Sequence, residues 1–426
     1  MLSSEAVRAL KNNEYKELLK DIYVDEAVLE HQRTRYIEAV EKFEELYGEK
    51  EISIYSAPGR TEICGNHTDH QHGAVLAAAI NLDIIAVVVK TDDNIIKVMS
   101  GTYDIKPISM NELKAKEEEK GTSEALIRGV AARFSEDGYN IGGFKAYMTS
   151  EVMGGSGLSS SAAFEVLIGT ILSGLYNDMT VSPVYIAQAS QYSENEYFGK
   201  PCGLMDQMAS SVGSLVNIDF KDPGAPIVNK LSVDFDKFGH ALCIVDIKGD
   251  HSDLTPEYAA VTVEMRKVSE FFGCNYLREV DPAAFYEKLP EVRKQTGDRA
   301  VLRAIHFFAD HERVGKQVKA LEKGDFEEFK KLIIESGDSS FKYLQNVYAA
   351  SDVQNQGVPI GLALSEKILE GRGAYRIHGG GFGGTIQVFV PNELVDEYKT
   401  GIEKYFGEGA CHVLRIRKYG GRAVLS

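Results

Sequence analysis

The chain lacks the features that would place it in a membrane, in the secretory pathway or on nucleic acid. No apolar run approaches the roughly 20 residues that span a bilayer, and the first residues include no apolar segment typical of a secretory signal. Only five cysteines occur, and no two form a CxxC pair, which predicts reduced thiols in the cytoplasm. The net charge of −16 argues against a general nucleic-acid or anionic-membrane surface, although a local phosphate site remains compatible with it.

Low-complexity tracts and obvious repeats are also absent, and 426 residues are enough for two domains with separate cores. Apolar residues at helical spacing predict a helix across residues 27–46, preceded by an additional helical arm over residues 1–24. A β-branched run at residues 84–89 predicts a strand, and we expect residues 95–99 to pair with it across a short turn.

A second region begins near residue 222 and combines strand-like segments with long helical stretches. We therefore predict an α+β fold in two domains, one over residues 1–222 and the other over residues 223–426. The predicted elements of the second region are strands at residues 241–247, 375–377 and 385–390, and helices at residues 256–272 and across 298–336.

The densest group of polar side chains lies at residues 56–73. This glycine-bounded segment, SAPGRTEICGNHTDHQHG, includes one arginine, one aspartate, one asparagine and three histidines. A polyhydroxylated small molecule needs many hydrogen-bonding groups of this kind, and a carboxylate such as Asp69 can accept from two vicinal hydroxyls at once. His67 and His70 are further candidate partners.

Zinc is an alternative ligand for the same segment, because its histidines and Asp69 are spaced closely enough to converge on a metal. The protein would then be a metallohydrolase. No second His/Cys/Asp cluster is obvious elsewhere to complete a metal site, so we keep zinc as a remote alternative.

A segment rich in glycine and serine, residues 154–163, follows a predicted strand at residues 144–148 and precedes a predicted buried helix at residues 164–175. Glycines let the backbone approach a phosphate, and the unpaired N–H groups of a first helical turn can bind oxyanions. Strand, loop and helix in this order aim those groups at an anion. The P-loop pattern GxxxxGK[ST] is absent, so the segment is either a phosphate loop of another kind or a flexible linker.

Two carboxylates, Glu194 and Asp206, flank a Pro-Cys-Gly turn at residues 201–203. Phosphoryl transfer needs a divalent ion on the nucleotide and a group that orients the attacking hydroxyl, and one carboxylate for each task would meet both needs. The alternative is that both are surface acids of an acidic protein. The residues alone leave this choice open.

A third glycine-rich segment, residues 379–384, lies between predicted strands. Taken in order, residues 56–73, 154–163 and 379–384 resemble the motifs of the GHMP kinase superfamily and, within it, of the galactokinase family. The resemblance covers the chain from about residue 25 to the C-terminus. It implies a two-domain GHMP kinase fold, with an N-terminal domain like domain 2 of ribosomal protein S5 and an α/β C-terminal domain whose glycine-rich segment packs against the active site.

The same resemblance implies roles for individual residues. Asp206 matches the catalytic aspartate of the family, and Arg60 matches the arginine beside it, which would keep Asp206 ionised and stabilise charge on the transferring phosphoryl group. Ser161 and Glu194 match the ligands of the Mg²⁺ that arrives with ATP. The resemblance assigns ATP to Gly155, Ser156, Gly157, Leu158, Ser159, Ser160, Ser161 and Ala162, and the sugar to Arg60, Asn66, His67, Asp69, His70, Gly203, Asp206 and Tyr258.

The first motif departs from the family at two positions that read the C6 end of galactose. Galactokinases usually have GEHTDY where this chain has GNHTDH, so that Asn66 and His70 differ. Asn66 can still bond a C6 hydroxyl, because an amide both donates and accepts. Losing a negative charge and gaining a histidine able to carry a positive one would also suit a C6 carboxylate.

The predicted function is therefore an ATP-dependent sugar 1-kinase, a galactokinase, with galacturonokinase as the alternative. A non-catalytic sensor of sugar and ATP is disfavoured, because the matched catalytic and metal-binding residues are all present.

Overall fold

The computed structural model of the chain describes residues 1–152, 154, 157–233, 235–249 and 254–425. None of the helices in these ranges combines the length and apolar character needed to cross a bilayer. The α-helices are α1 (Ser3–Lys11), α2 (Lys16–Tyr23), α3 (Leu29–Tyr47), α4 (Ser123–Glu136), α5 (Ser160–Tyr176), α6 (Pro183–Tyr192), α7 (Met205–Val212), α8 (Thr255–Phe271), α9 (Pro282–Glu287), α10 (Leu289–Thr296), α11 (Asp298–Glu322), α12 (Phe326–Ser339), α13 (Gly357–Leu369) and α14 (Val395–Phe406). The strands are β1 (Ser53–Cys64), β2 (Ala74–Thr91), β3 (Ile95–Ser100), β4 (Tyr103–Ser109), β5 (Gly143–Ser150), β6 (Leu215–Asp219), β7 (Ile227–Leu231), β8 (His240–Asp246), β9 (Ala374–His378), β10 (Thr385–Pro391), β11 (Cys411–Leu414) and β12 (Arg422–Leu425).

Eight strands form the first sheet in the order β12-β1-β2-β5-β3-β4, with β6 beside β2 and β7 beside β6. Helices α4 and α5 cover one face and α1 to α3 the other. The strands predicted at residues 84–89 and 95–99 are present, but their predicted pairing is wrong, because β5 lies between them, antiparallel to β2 and parallel to β3. In this central position Phe144, Ala146 and Met148 of β5 are fully buried, which an edge position would not achieve.

Four strands form the second sheet in the order β11-β8-β10-β9, with every neighbouring pair antiparallel. Helices α13 and α14 pack on one face and α12 on the other. The three strands predicted for this region and the helix at residues 256–272 are confirmed. The helical stretch at residues 298–336 consists of α11 and α12, which separate where the Asp325 carboxylate caps α12 by accepting from Glu328 N at 3.1 Å.

Two strands from the second half of the chain, β7 and β12, belong to the first sheet. The first sheet otherwise consists of residues before 222, and the second sheet of residues after it. The division into domains at residues 1–222 and 223–426 therefore stays a prediction. Strands β7 and β12 follow residue 222 in the chain but belong to the first sheet.

The predicted helical arm forms α1 and α2, and a buried carboxylate ties it to the first sheet. On β2, Asp83 Oδ1 lies 2.7 Å from Arg35 Nη1, and Oδ2 lies 2.8 Å from both the Tyr23 hydroxyl and Arg417 Nη1. Burial would raise the pKa of Asp83, but the two guanidinium groups outweigh it and lower that pKa. A buried hydrogen bond thus joins the arm to the sheet, and buried ion pairs join α3 and the C-terminal segment to the same carboxylate.

Candidate active site

Arg60 lies in β1, which extends into the first motif as far as Cys64. The Arg60 N–H donates to the Leu158 carbonyl at 3.1 Å, so the strand and the glycine-rich loop are in direct contact. Gly59 permits this approach, since a methyl group there would lie 2.8 Å from the Leu158 oxygen. The arginine is thereby fixed between strand and loop.

The Arg60 guanidinium forms a two-pronged ion pair with Asp206 in the first turn of α7. Nε lies 2.7 Å from Oδ1 and Nη2 lies 2.7 Å from Oδ2, while Nη1 donates to the Gly157 carbonyl. The Arg60 side chain is 7% exposed and that of Asp206 is 32% exposed, so the carboxylate remains accessible. Burial would raise the pKa of Asp206, but Arg60 and the Ser159 hydroxyl outweigh it and hold that pKa below its usual value.

The loop between β5 and α5 brings Ser159 to the same carboxylate. The Ser159 hydroxyl donates to Asp206 Oδ2 instead of capping α5, and its φ of +59° is unusual for a residue with a side chain. The first bond of the helix runs from Ala163 N to the Ser159 carbonyl at 3.1 Å. The N–H groups of residues 160–162 therefore have no acceptor within the helix and can bind an anion. The predicted order of strand, loop and helix is confirmed by β5 and α5.

The other residues predicted to bind ATP differ in accessibility. Residues 160–161 are partly exposed at the start of α5. Leu158 and Ala162 are fully buried, so their side chains anchor the loop and only their backbone groups are available to a nucleotide. Gly155 and Ser156 lie outside the described residues.

Ser161 and Glu194, the predicted magnesium ligands, lie close together. Glu194 belongs to a π-helical turn, Ser193–Phe198, that continues α6, and its Oε1 is 3.5 Å from Ser161 Oγ. Neighbouring oxygen ligands of an octahedral Mg²⁺ ion are about 3 Å apart, so a small shift would bring both onto one ion. A hydroxyl and a carboxylate are also the hard donors that Mg²⁺ prefers, and the pair fits a magnesium site.

Sequence reasoning assigned no role to Gln207 and Lys200, which both hold Glu194. Gln207 Nε2 donates to Glu194 Oε2 at 2.8 Å, and Lys200 Nζ lies 3.3 Å from Oε1. Gln207 follows Asp206 directly, so a single turn of α7 positions both site carboxylates. Gln207 Nε2 also donates to Glu165 at 3.2 Å, and burial, with Glu194 nearby, raises the pKa of Glu165 well above its usual value. The sequence signal that could have identified Gln207 and Lys200 is their position close to the Pro-Cys-Gly turn at residues 201–203.

Asp69 begins a short 3-10 helix, Asp69–Gln71, and packs directly against Gly203. A methyl group on Gly203 would lie 1.7 Å from Asp69 Oδ2, so only glycine leaves room for this carboxylate. Burial raises the pKa of Asp69 to about 7, and the ionised Asp206 adds to the effect. The structure thus brings together the predicted sugar-binding carboxylate and the carboxylate paired with Arg60.

His67 and His70 form an ordered chain of hydrogen bonds. His67 Nε2 lies 3.0 Å from the Gly380 carbonyl, so it carries the proton and donates, and its Nδ1 accepts from His70 Nε2 at 3.3 Å. Burial lowers the pKa of His67 to about 4 and that of His70 to about 3. Both rings are therefore neutral at physiological pH in this environment.

The zinc alternative gains no support from this geometry. The two imidazoles bond to each other, and His67 also bonds to a backbone carbonyl. Across the residues that the structure describes, no group of three His, Cys, Asp or Glu side chains is placed to hold a metal ion.

Asn66 lies inside the protein. Its side chain is fully buried. Nδ2 donates to Glu62 Oε1 at 3.1 Å and to the Gly379 carbonyl at 2.6 Å, and Oδ1 accepts from Asn346 Nδ2 at 2.8 Å and from the Ser340 hydroxyl at 3.2 Å. Protein groups therefore occupy both ends of the amide in this structure, and the assignment of Asn66 to the C6 substituent stays a prediction.

The carboxylate beside Asn66 belongs to a buried ion pair between the two sheets. Glu62 on β1 accepts from Arg376 on β9, with Oε1 2.7 Å from Nη2. Arg376 Nη1 also donates to the Ile63 carbonyl at 2.7 Å. Burial raises the pKa of Glu62, and Arg376 partly counteracts the rise. Asn66 is thus part of the junction between the sheets.

The third glycine-rich segment, residues 379–384, lies against the first motif, as predicted. Its carbonyl groups accept from the amide and imidazole groups of that motif, and the Gly381 carbonyl accepts from the Tyr258 hydroxyl at 2.8 Å. The Tyr258 ring packs edge-on against Phe382 with centroids 5.1 Å apart. Burial raises the pKa of Tyr258 to about 12, so the hydroxyl stays protonated as a donor.

Comparison with known proteins places this site in a family. The galactokinase galactose-binding signature matches residues 41–90, and the GHMP kinases N terminal domain matches residues 125–214. A galactokinase of Actinobacillus pleuropneumoniae serotype 3 (strain JL03) is 31% identical over 385 residues, which cover 86% of this chain and 95% of the relative. The chain belongs to the galactokinase family. A galactokinase of Glaesserella parasuis serovar 5 (strain SH0165) is also 31% identical, over 86% of this chain and 94% of the relative.

Solved structures share the fold. The structure of Lactococcus lactis galactokinase complexed with galactose superposes with a TM-score of 0.76 at 22% identity, covering 89% of this chain and 97% of that one. Methanococcus jannaschii mevalonate kinase superposes with a TM-score of 0.60 at 17% identity, covering 85% and 98%. The predicted α+β GHMP kinase fold of the galactokinase family is confirmed.

Within the galactokinase family, the departure at Asn66 has a compensating feature. The usual glutamate is replaced by an amide, but Glu62 places a carboxylate oxygen 3.1 Å from that amide. The negative charge that the replacement removes is therefore present four positions earlier. The Arg376 guanidinium pairs with this carboxylate, so the charge belongs to the junction between the sheets.

Proposed function

We propose that this protein transfers the γ-phosphoryl group of ATP to the C1 hydroxyl of D-galactose, which yields ADP and α-D-galactose 1-phosphate. The observation that carries the proposal is the two-pronged ion pair of Arg60 and Asp206. It joins the phosphate loop, through Ser159, to the motif that holds Asp69. The proposed phosphate site and the proposed sugar site thus meet at one ionised carboxylate, and membership of the galactokinase family supports the same reaction.

The positions of the charges suggest how the reaction proceeds. The C1 oxygen of the sugar forms a bond to the γ-phosphorus, and the bond from that phosphorus to the β–γ bridging oxygen breaks, which releases ADP. The proton of the C1 hydroxyl goes to Asp206, whose lowered pKa keeps it ionised. Arg60 fixes that carboxylate and places positive charge beside the transferring group. The N–H groups of residues 160–162 hold phosphate oxygens.

We propose Mg²⁺ as the metal that accompanies ATP, held by Ser161 and Glu194. Bound there, it would neutralise charge on the β- and γ-phosphates. Glu194→Gln keeps the shape of the side chain but removes its charge, so the affinity for ATP measured with Mg²⁺ should fall about tenfold, whereas the affinity in EDTA should change little. Calorimetric titrations under both conditions test this, with Glu196→Gln as the exposed control in the same turn. Equal losses with and without the metal would contradict the assignment.

We propose that Asp69 accepts hydroxyl groups of the sugar, and its pKa of about 7 then predicts a pH dependence. Only the ionised form accepts from two hydroxyls, and ionisation increases as the pH rises through the pKa. The KM for galactose should therefore fall several-fold between about pH 6 and pH 8, by at most about tenfold per pH unit. Asp69→Asn should raise KM and abolish the trend. Initial rates at saturating MgATP measure this, and a wild-type KM that is constant over the range would contradict it.

The identity of the sugar is tested with a panel that varies C6. Values of kcat/KM for galactose, galacturonate, 6-deoxygalactose and glucose are compared in the wild-type protein. We expect galactose to be preferred, because the chain belongs to the galactokinase family and because burial lowers the pKa of His70. A preference for galacturonate would establish the alternative galacturonokinase, and no turnover of any sugar would overturn the proposal.

We place this reaction in the cytoplasm, with ATP and the sugar as small-molecule partners. The described cysteines, Cys64, Cys202, Cys243, Cys274 and Cys411, are all free thiols. Free thiols suit a reducing compartment, where ATP is also available.

A further inference from the structure

Lys200 lies in the loop that connects the turn holding Glu194 to the helix holding Asp206. Its N–H donates to the Glu194 carbonyl at 3.0 Å. The loop is fixed again two residues later, where the Cys202 N–H donates to Asn195 Oδ1 at 2.8 Å. The Lys200 side chain is 65% exposed. An anchored backbone with an exposed side chain gives the ammonium group a defined range of movement around Glu194.

The Lys200 ammonium and the Ser161 hydroxyl share one oxygen of Glu194. Nζ lies 3.3 Å and Oγ 3.5 Å from Oε1, while Oε2 accepts from Gln207 at 2.8 Å. The Glu194 side chain is only 4% exposed, so the lysine is the member of the ion pair that can move. The ammonium therefore occupies the oxygen that the proposed magnesium site requires.

We infer that Lys200 is a nucleotide-binding residue that changes partners when MgATP binds. It neutralises Glu194 in the nucleotide-free protein and moves to the γ-phosphate when Mg²⁺ takes its place on Oε1. Two cations on one oxygen repel each other, and the triphosphate that brings the metal also brings the new anion. A lysine suits this exchange, since it is a compact point charge on a flexible chain. The inference rests on the proposed kinase function and adds a phosphate contact to it.

Arg60 is poorly suited to the same task. Its Nε, Nη1 and Nη2 atoms already donate to Asp206 and to the Gly157 carbonyl, and its side chain is 7% exposed. Arg60 is therefore a fixed cation that holds Asp206. Lys200 is a mobile one that can follow the charge on the phosphate.

The first test compares Lys200→Met with Lys200→Arg. We expect Lys200→Met to lower kcat about tenfold and Lys200→Arg to recover most of the loss, because a charged hydrogen bond to the γ-phosphate is removed and then restored. Wild-type protein should bind the Mg²⁺ complex of β,γ-imido-ATP more tightly than MgADP, and this preference should fall about tenfold in Lys200→Met. Lys120→Met is the matched control, since Lys120 packs beside Gly199 but pairs with Glu117 at 2.8 Å.

The second test follows the lysine itself by amine acylation and mass spectrometry, without sugar. The Mg²⁺ complex of β,γ-imido-ATP should protect Lys200 several-fold relative to the free protein. MgADP should not protect it, because it displaces the ammonium from Glu194 and offers no γ-phosphate. Lys120 serves as the internal reference in every sample. Equal protection by both nucleotides would overturn the inference.

The alternative is that Lys200 only pairs with Glu194 in the folded protein. Lys200→Met would then lower the thermal stability but leave kcat and the preference for the triphosphate at wild-type values, and that result would also overturn the inference. Failure of the proposed function is a separate outcome. A wild-type protein that phosphorylates no sugar would refute the kinase proposal, while the acylation pattern would still decide the role of Lys200.

Discussion

Replacing Asp206 with asparagine should lower kcat about a thousandfold while the affinity for MgATP stays within about twofold of wild type. The amide cannot accept the proton of the C1 hydroxyl, and only its oxygen can accept a hydrogen bond from Arg60, because its nitrogen is a donor. Arg60 keeps its bond to the Gly157 carbonyl and its backbone contact with Leu158, so the phosphate loop should hold its position. The loss should therefore fall on the chemical step and spare nucleotide binding.

Single-turnover kinetics and nucleotide titrations of Asp206→Asn separate these two effects. Asp104→Asn, an exposed aspartate on β4, controls for a change of one charge elsewhere. Thermal unfolding checks that the variant is folded. Turnover within about tenfold of wild type would show that Asp206 is not the proton acceptor, since general bases typically contribute more than that.

Asn66→Glu should destabilise the fold, although it restores the residue usual in the family. The new carboxylate would lie beside Glu62 in a fully buried cluster that contains Arg376 as the paired cation. One of the two carboxyl groups must then stay protonated or remain buried without a partner, and we expect the free energy of unfolding to fall by about 3 kcal/mol. Denaturant unfolding followed by circular dichroism measures the loss.

The double variant Glu62→Asn with Asn66→Glu is the matched control. It exchanges the two side chains, so the cluster again contains one carboxylate for one guanidinium. The double variant should regain most of the free energy of unfolding that Asn66→Glu loses. A thermodynamic cycle that includes Glu62→Asn gives the coupling energy between positions 62 and 66. If Asn66→Glu is as stable as wild type and gains activity on galactose, then position 66 faces the sugar in the bound state, and the expected loss of stability is wrong.

Local features of the fold followed from the sequence pattern. Residues 144–175 alone predict a strand, a glycine-rich loop and a buried helix, because the periodicity and the turn residues lie within one short stretch. The pairing of β5 between β2 and β3 could not be predicted in this way. A short turn favours neighbouring strands, whereas the observed order depends on how much apolar surface each strand buries in the assembled sheet.

The active site shows the same limit of prediction from sequence. The pairing of Arg60 with Asp206, 146 positions later, followed from a resemblance between motifs and not from spacing. Asn66 was expected to face the sugar, but its amide is held by Asn346, 280 positions away. The charge of His70 depends on burial by its surroundings, which a sequence pattern does not report. Residues whose role depends on distant partners therefore needed the structure.

The contact between Asp83 and Arg417 has a consequence for the order in which the protein folds. These residues are 334 positions apart, and the adjacent strand β12 pairs with β1, which carries Arg60. While the chain is being synthesised, β1 has an open edge at residues 54–56 until residues 422–425 have left the ribosome, and unpaired edges promote association with other chains. The strand that positions the arginine is thus among the last parts to be enclosed. Closure of the sheet beside the strand that carries Arg60 is in this way coupled to synthesis of residues 422–425.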